Sequence, residues 1–345
     1  MINGRTVLET LILNDNTDIV TAGKIIQNGG LVAFPTETVY GLGASAYSDE
    51  AAKKIYEAKG RPSDNPLIVH VWNTEQIKDV AEDISDTAKL VIDKFMPGPI
   101  TVILKKKACI PSGVTGGLDT VGVRCPINEV AREFIKSAGV PVAAPSANIS
   151  GKPSPTNSQH VIDDMMGRID AIIDSGECSV GVESTIVDMT ADTPVILRPG
   201  GITYTMLKEV VPDIEIDKNI LNTVSKDEVP KCPGTKYKHY SPDADVFVVE
   251  GEKCAVQAKI KELILNNKDK CVGVLFIYDA VYDDAIMLSA GKNNREYAHN
   301  LFKALREFDK LKVDVVFAEF CDDRDYGLAV KNRLYKAAGH KVIHV

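Results

Sequence analysis

The side chains of this chain best equipped for chemistry fall in short segments rich in hydroxyls, amides and cations. Phe34-Pro35-Thr36-Glu37-Thr38-Val39-Tyr40-Gly41-Leu42-Gly43 reads as hydroxyls packed into a turn with glycines. Lys59-Gly60-Arg61-Pro62-Ser63-Asp64-Asn65-Pro66-Leu67 offers two cations and an amide just past a helical pattern. Thr120-Val121-Gly122-Val123-Arg124 follows, then Ala144-Pro145-Ser146-Ala147-Asn148 with Ser154-Pro155-Thr156, Glu183-Ser184-Thr185 and Arg198-Pro199-Gly200. Lys and Arg neutralise phosphate oxygens, while hydroxyls and backbone N–H groups hold them. Jointly the segments point to a polyphosphate ligand. Singly, each has a plainer reading: Arg61 as a surface ion pair, the 144–148 stretch as a turn, His70 as a structural histidine.

Other chemistries lack their signatures. The chain has no Gly-x-x-x-x-Gly-Lys-Ser/Thr phosphate loop, no His-Glu-x-x-His helix and no Gly-x-Ser-x-Gly elbow. Gly41-Leu42-Gly43-Ala44-Ser45-Ala46 matches a degenerate dinucleotide fingerprint, but it follows residues 36–40 rather than a buried strand end, and so reads as coincidence. Cys109, Cys125, Cys178, Cys232, Cys254, Cys271 and Cys321 are scattered without a Cys-x-x-Cys pair. Neither a disulfide framework nor a cysteine-based zinc site is expected, and a reducing cytoplasm fits.

Alternating helix-like and strand-like stretches must position these segments. Asn16-Thr17-Asp18 can cap a helix running to Asn28 and closed by Gly29-Gly30. Residues 31–34 then read as a short buried strand stopped by Pro35, and Ser48-Asp49-Glu50 opens a second helix to about Ala58. Apolar runs at 67–71, 100–104, 121–123, 140–144, 171–173 and 186–187 add strands, with helical patterns between several of them. The expectation is a twisted sheet mixing parallel and antiparallel pairs over residues 1–212. Residues 213–243 show no sustained period and read as a linker or lid, ending in Pro233-Gly234-Thr235-Lys236-Tyr237-Lys238-His239-Tyr240-Ser241-Pro242. Over 244–345 strands at 246–249, 272–277, 313–318 and 341–345 alternate with helices at 252–265, 295–311 and 328–337. Leu301, Leu305 and Phe308 share one helix face. That predicts a smaller three-layer α/β domain with parallel strands.

Composition narrows the class. Hydrophobic residues make up 44% and charged residues 26% of the 345 residues, values of a folded globular protein. The net charge of −8 speaks against a basic nucleic-acid-binding domain. No apolar run approaches the ~20 residues of a membrane span, and Met1-Ile2-Asn3-Gly4-Arg5 leads into no apolar block, so a cytoplasmic protein without membrane contact is expected.

Segments 34–43, 59–67, 144–148, 183–188 and 197–200 resemble the YrdC-like domain of L-threonylcarbamoyladenylate synthases. The 233–242 stretch and the C-terminal α/β unit look like the two-domain form of these enzymes, with Thr235 where Met is usual. The resemblance covers essentially the whole chain. It implies a YrdC-like mixed sheet followed by a Rossmann-like domain. It also implies an enzyme, a nucleotidyltransferase making L-threonylcarbamoyl-AMP and pyrophosphate from L-threonine, bicarbonate and ATP. The product would serve threonylcarbamoylation of the adenosine beside the anticodon, through a downstream tRNA threonylcarbamoyl transferase complex. Carried over residue by residue, it assigns ATP to Lys59, Arg61, Asn65, Thr120, Ser146, Ser154, Arg198 and Tyr237, with Lys59 and Arg61 closest to the chemistry. It assigns threonine to Thr36, His70, Arg124, Ala144 and Ser184, with Asn148 and Glu183 in support. Mg2+ would accompany ATP, with no protein metal cage. Two alternatives stay open at this point: a tRNA- or double-stranded-RNA-binding protein without catalysis, and a carbamoyl-transfer enzyme resembling hydrogenase-maturation factors, whose Cys-x-x-Cys modules are absent here.

Overall fold

The computed structural model describes residues 8–221, 232–233, 239–320 and 322–345. They divide into two compact units, the first reaching into the segment that begins at Glu183 and ends at Lys236, the second covering mainly residues 237–345.

The first unit is built on one mixed sheet. Its strands are β1 (Leu11–Asn14), β2 (Val32–Phe34), β3 (Gly41–Ser45), β4 (Ile68–His70), β5 (Ala81–Glu82) and β6 (Ile100–Lys106). They continue with β7 (Thr120–Arg124), β8 (Val142–Ala144), β9 (Ala171–Asp174), β10 (Thr185–Asp188), β11 (Val195–Arg198) and β12 (Glu215–Ile216). The order is β1-β9-β2-β3-β8-β4-β7-β6-β10-β11-β12, with β5 on β6. Parallel pairs such as β4 with β7 and β6 with β10 lie beside antiparallel ones such as β3 with β8 and β6 with β7, the mixture the sequence predicts.

Residue alternation decides which face is covered. Val69, Val102, Leu104, Val121, Val123 and Val187 point into the main core, where helix Asp49–Lys59 packs Ala51, Ala52, Ile55 and Tyr56. On the other face, helices Ile19–Gln27 and Glu129–Ala138 cover Val32, Phe34, Val142 and Ala144. Beyond them, the neighbouring strands carry a small cluster of Ile68, Ile103, Ile186, Leu197 and Cys232. This thinly covered face is where a ligand can lie on the sheet.

Gly41 and Gly43 overturn the expected glycine turn, since both belong to β3. A Cβ on Gly41 would lie 2.9 Å from the Phe34 ring, and one on Gly43 2.7 Å from Val142 Cγ1. These glycines thus permit close strand packing, and the turn itself is confined to residues 35–40. The sequence also shows no strand within residues 213–243, yet β12 pairs with β11, and Ile214 and Ile220 are buried in the main core.

Helix ends place two of the functional segments. Ser48 Oγ accepts the Ala51 N–H at 3.1 Å and Gly60 closes the helix in the left-handed region at φ 64°, so Lys59 is its last residue. Asn128 caps the helix above Phe34 in the same way.

The second unit is an all-parallel sheet of β13 (Asp245–Glu250), β14 (Val272–Phe276), β15 (Ile286–Ser289), β16 (Val315–Phe320) and β17 (Val342–His344), in the order β15-β14-β16-β13-β17. Helix Lys253–Leu265 packs Val256, Ile260 and Ile264 on Val249, Val315 and Phe317. The helix Asn294–Lys310 buries Leu301, Leu305 and Phe308, and a Cβ on Gly273 would lie 2.6 Å from the Phe308 ring, so β14 needs glycine there. Strand β15, which the sequence reading missed, joins β14 through a loop without a helix.

Candidate active site

Paired registers bring the predicted residues onto the thinly covered face. Ile68 stands opposite both Ala144 and Gly122, Gly122 opposite Ile103, His70 opposite Arg124, and Thr101 opposite Ile186. Gly122 keeps the floor low, because a Cβ there would already touch Thr101 Cγ2 at 3.2 Å. Thr120 and Arg124 share this face at opposite ends of β7, about 13 Å apart at ~3.3 Å per residue. The face therefore has two ends.

At the Arg124 end, the 35–40 turn is closed on itself. Thr36 Oγ1 donates to Val39 O at 2.6 Å, accepts the Thr38 N–H at 3.1 Å, and lies 2.8 Å from Thr38 Oγ1. Arg124 Nη1 donates to Thr38 Oγ1 at 2.8 Å, and Nη2 lies 2.7 Å from Glu37 Oε1 in a buried ion pair. His70 Nδ1 lies 3.1 Å from Ile68 O, and its ring stands edge-on to Phe34. Burial, with the Arg124 charge beside it, pushes the His70 pKa down to about 3, so the imidazole is neutral at physiological pH. Ala144 packs with Phe34 and Val142. Sequence reasoning did not single out Thr38 or a charged role for Glu37; the alternation of hydroxyls around Glu37 was the available signal.

The groups suited to phosphate lie in loops around this face, Asn65 and Ser146 toward the Thr120 end and Ser184 and Arg198, by register, toward the Arg124 end. Arg61 Nη2 donates to the carbonyls of Asn65 and Pro66, both at 3.2 Å, which fixes the loop after the helix. Asn65 is 1% exposed, and neither its Nδ2 nor its Oδ1 has a hydrogen-bond partner. A buried amide in that state costs about 1–3 kcal/mol unless a ligand satisfies it. Arg198 holds the start of β10: its Nε and Nη2 donate to Ser184 O at 3.1 and 2.9 Å, Nη2 to Ser184 Oγ at 3.2 Å, and Nη1 to Pro233 O at 3.3 Å. Ser184 Oγ lies 2.8 Å from Thr101 Oγ1. Ser154 Oγ donates to Glu183 Oε1 at 2.5 Å and Ser146 Oγ to Asn148 Oδ1 at 2.6 Å, so Glu183 and Asn148 aim hydroxyls.

Lys59 sits 2% exposed, with its ammonium donating to Ser146 O at 2.5 Å and Asn148 O at 2.6 Å. It braces the turn that carries Ser146. Thr120 lines a narrow cleft with Leu67, Thr101, Thr115, Gly122 and Cys232, apolar and hydroxyl side chains around a space of about 10 Å³. Tyr237 lies outside the described residues. Among the described residues, no group of three or more His, Cys, Asp or Glu side chains is placed to hold a metal, and no helix is long and apolar enough to cross a membrane.

Comparison with known proteins covers nearly the whole chain. Residues 24–200 match the Sua5/YciO/YrdC family described as telomere recombination, and residues 202–339 match the threonylcarbamoyl-AMP synthase C-terminal domain. The chain belongs to the threonylcarbamoyl-AMP synthases. A synthase of that name from Pyrococcus abyssi is 46% identical over 97% of this chain and 100% of its own. One from Bacillus subtilis is 44% identical over 98% and 97%, and one from Schizosaccharomyces pombe 38% identical over 92% and 87%. The crystal structure of Pyrococcus abyssi Sua5 complexed with L-threonine superposes with a TM-score of 0.93 over 97% of this chain and 100% of that one, at 47% identity. As a member of this family of threonylcarbamoyl-AMP synthases, the chain is a nucleotidyltransferase of the tRNA threonylcarbamoyladenosine modification.

Proposed function

We propose that this chain condenses L-threonine, bicarbonate and ATP to L-threonylcarbamoyl-AMP and pyrophosphate, with threonine at the Arg124 end of the cleft and ATP at the Thr120 end. The observation that carries this layout is one sheet face with a buried guanidinium among hydroxyls at the Arg124 end of β7 and, toward the Thr120 end, the buried Asn65 amide without a hydrogen-bond partner. Threonine places its carboxylate on Arg124, beside the Thr36 turn, His70, Ala144 and Ser184. Arg61, Asn65, Thr120, Ser146, Ser154 and Arg198 serve ATP, and the resemblance adds Tyr237. Lys59 acts by fixing the 144–148 turn and adding positive potential close to the phosphates.

The reaction needs no protein nucleophile. The threonine ammonium loses a proton, and the amine condenses with bicarbonate to give a carbamate and water. One carbamate oxygen attacks the α-phosphorus while pyrophosphate leaves. Positioning and charge stabilisation then supply the catalysis, as in phosphoryl transfer generally. Mg2+ would accompany ATP and neutralise part of its charge, and the hydroxyl, amide and cation donors of this face fit such a complex because they would bind phosphate oxygens directly. The linker shields the labile adenylate from water, a role supported by Cys232 lying 2% exposed in the cleft-side cluster and Pro233 accepting from Arg198. A downstream transferase then moves the threonylcarbamoyl group to tRNA.

The test is mass detection of threonylcarbamoyl adenylate from purified protein, ATP, Mg2+, L-threonine and bicarbonate. Equal pyrophosphate release with valine, or without bicarbonate, would refute it.

A further inference from the structure

The buried pair of Glu37 and Arg124 has a consequence for which ligands the amino-acid end accepts, given the threonine assignment above. Both side chains are 5% exposed, with Glu37 Oε1 and Arg124 Nη2 2.7 Å apart. Neither Glu37 oxygen receives a hydrogen bond of good geometry, and Arg124 Nε and Nη2 donate none. The pair is therefore held by charge, not by directed hydrogen bonding. Buried ion pairs of this kind rarely stabilise a fold more than apolar side chains of the same size would. Stability does not account for placing one here, next to a turn of hydroxyls.

The charges around the pair sum simply. His70 is neutral, for burial and Arg124 hold its pKa at about 3. Burial pushes the Cys125 thiol up to about 11 and the Cys178 thiol up to about 12, so both are uncharged. Arg132, within electrostatic reach of Cys125, is partly exposed and screened by solvent. Glu177, within electrostatic reach of Cys178, is exposed, and that leaves Arg124 and Glu37 as the buried charges in contact, one positive and one negative.

We propose that Glu37 is a specificity determinant: by cancelling the charge of Arg124 it makes this end of the cleft net neutral, so that it selects a zwitterionic α-amino acid over simple carboxylates and over bicarbonate. A bare buried guanidinium takes any small anion, and this cleft must handle bicarbonate and pyrophosphate as well as threonine. With Glu37 present, an anion that gains from Arg124 loses to Glu37. An α-ammonium restores the balance, and among carboxylate ligands one that also carries an ammonium leaves the site uncharged. Glu37 thus works through the field it sets, as a positioning and discriminating residue, without having to touch the reacting atoms.

The decisive experiment compares two ligands of nearly equal shape on the full-length protein: L-threonine, and (2S,3R)-2,3-dihydroxybutyrate, in which a hydroxyl replaces the ammonium. Calorimetry on the wild type should show threonine binding at least tenfold tighter. In Glu37→Gln the ratio should shift at least tenfold toward dihydroxybutyrate. Glu37→Asp, which keeps the charge, should retain the wild-type ratio even where both affinities fall. A purely structural role for Glu37 would weaken both ligands alike and leave the ratio unchanged, and that result overturns the proposal. Should Glu37→Gln fail to fold, the wild type still decides it, because equal or tighter binding of dihydroxybutyrate contradicts a neutral site. A wild type that binds no threonine would refute the threonine assignment itself, whereas an unchanged ratio with threonine bound refutes only the role of Glu37.

Discussion

Replacing Asn65 by Leu should separate ligand binding from stability, because the two are expected to move in opposite directions. The Asn65 carbonyl is well bonded, accepting from Tyr56 Oη at 3.1 Å and Arg61 Nη2 at 3.2 Å, so the backbone that presents the side chain is fixed independently of it. The side-chain amide is 1% exposed with both polar atoms unsatisfied. Such a group carries a desolvation cost of about 1–3 kcal/mol, and an apolar side chain of the same shape removes it. Leu approximates that shape, so overpacking should return at most about 1 kcal/mol of the gain. For a unit of some 200 residues, a net gain of 1 kcal/mol corresponds to roughly 2–4 °C in Tm. ATP, in contrast, loses a hydrogen-bonding partner made rigid in advance, worth about 1–1.5 kcal/mol, or roughly tenfold in affinity. Differential scanning fluorimetry with and without ATP reads both numbers. The free variant should melt at or above the wild type, while the ATP-induced shift shrinks. A free variant several degrees less stable with an undiminished ATP shift would mean that Asn65 is structural, and the reasoning would fail.

Arg198→Lys keeps the charge but loses the fork that grips Ser184 and Pro233, so kcat/KM for ATP should fall roughly tenfold, with Arg198→Ala lower still; wild-type steady-state kinetics in the Lys variant would refute the geometric part. Arg124→Ala should weaken threonine binding roughly ten- to a hundredfold in calorimetry while sparing ATP. His70 has a folded pKa of about 3 against about 6.5 unfolded, so the unfolded chain binds the extra proton and stability falls as pH drops from about 6.5 toward 3. His70→Gln should flatten that slope in urea melts, by up to ~1.4 kcal/mol per pH unit. A chain ending at Pro212 loses β12 and the buried Ile214 and Ile220, so it should melt well below one ending at Pro233; equal melting temperatures would count against that packing.

Much of this was legible in the residues, because period and polarity report burial directly. The runs at 67–71, 100–104 and 121–123 are strands in the structure, and the C-terminal alternation fixed a parallel sheet since each predicted crossover carried a helix. Glycine misled at Gly41 and Gly43, where the missing Cβ serves Phe34 and Val142 across the sheet, a contact no local pattern announces. Lys59 read as a phosphate contact, but only the fold brings the Ser146 and Asn148 carbonyls to its ammonium. Thr101 escaped notice because a hydroxyl beside apolar neighbours looks like ordinary strand filling, and its partner Ser184 is 83 residues away; Thr38 was seen as part of a turn, but not its bond to Arg124, 86 residues on. Strand order was equally hidden, since β9 inserts between β1 and β2 and nothing in its sequence says so.

That insertion governs when the protein can exist as an enzyme during its synthesis. β1 and β2 have no direct pairing and are joined only through β9, whose register aligns Leu11 and Val32 with the same Ala171. Likewise β6 waits for β10, and Arg198 reaches back to Ser184 only once β11 has emerged. A nascent chain of 150 residues therefore holds the contiguous strands β2-β3-β8-β4-β7-β6 and most of the functional side chains, yet lacks β9 on one side and β10 and β11, with Ser184 and Arg198, on the other. At about 5–20 residues per second, tens of seconds separate the making of Thr36 from the arrival of Arg198. Loops of that length are slow to close and leave apolar edges exposed meanwhile. The hydroxyl turn and the cations are thus made early and assembled late, and adenylate chemistry begins only when the whole first unit has left the ribosome.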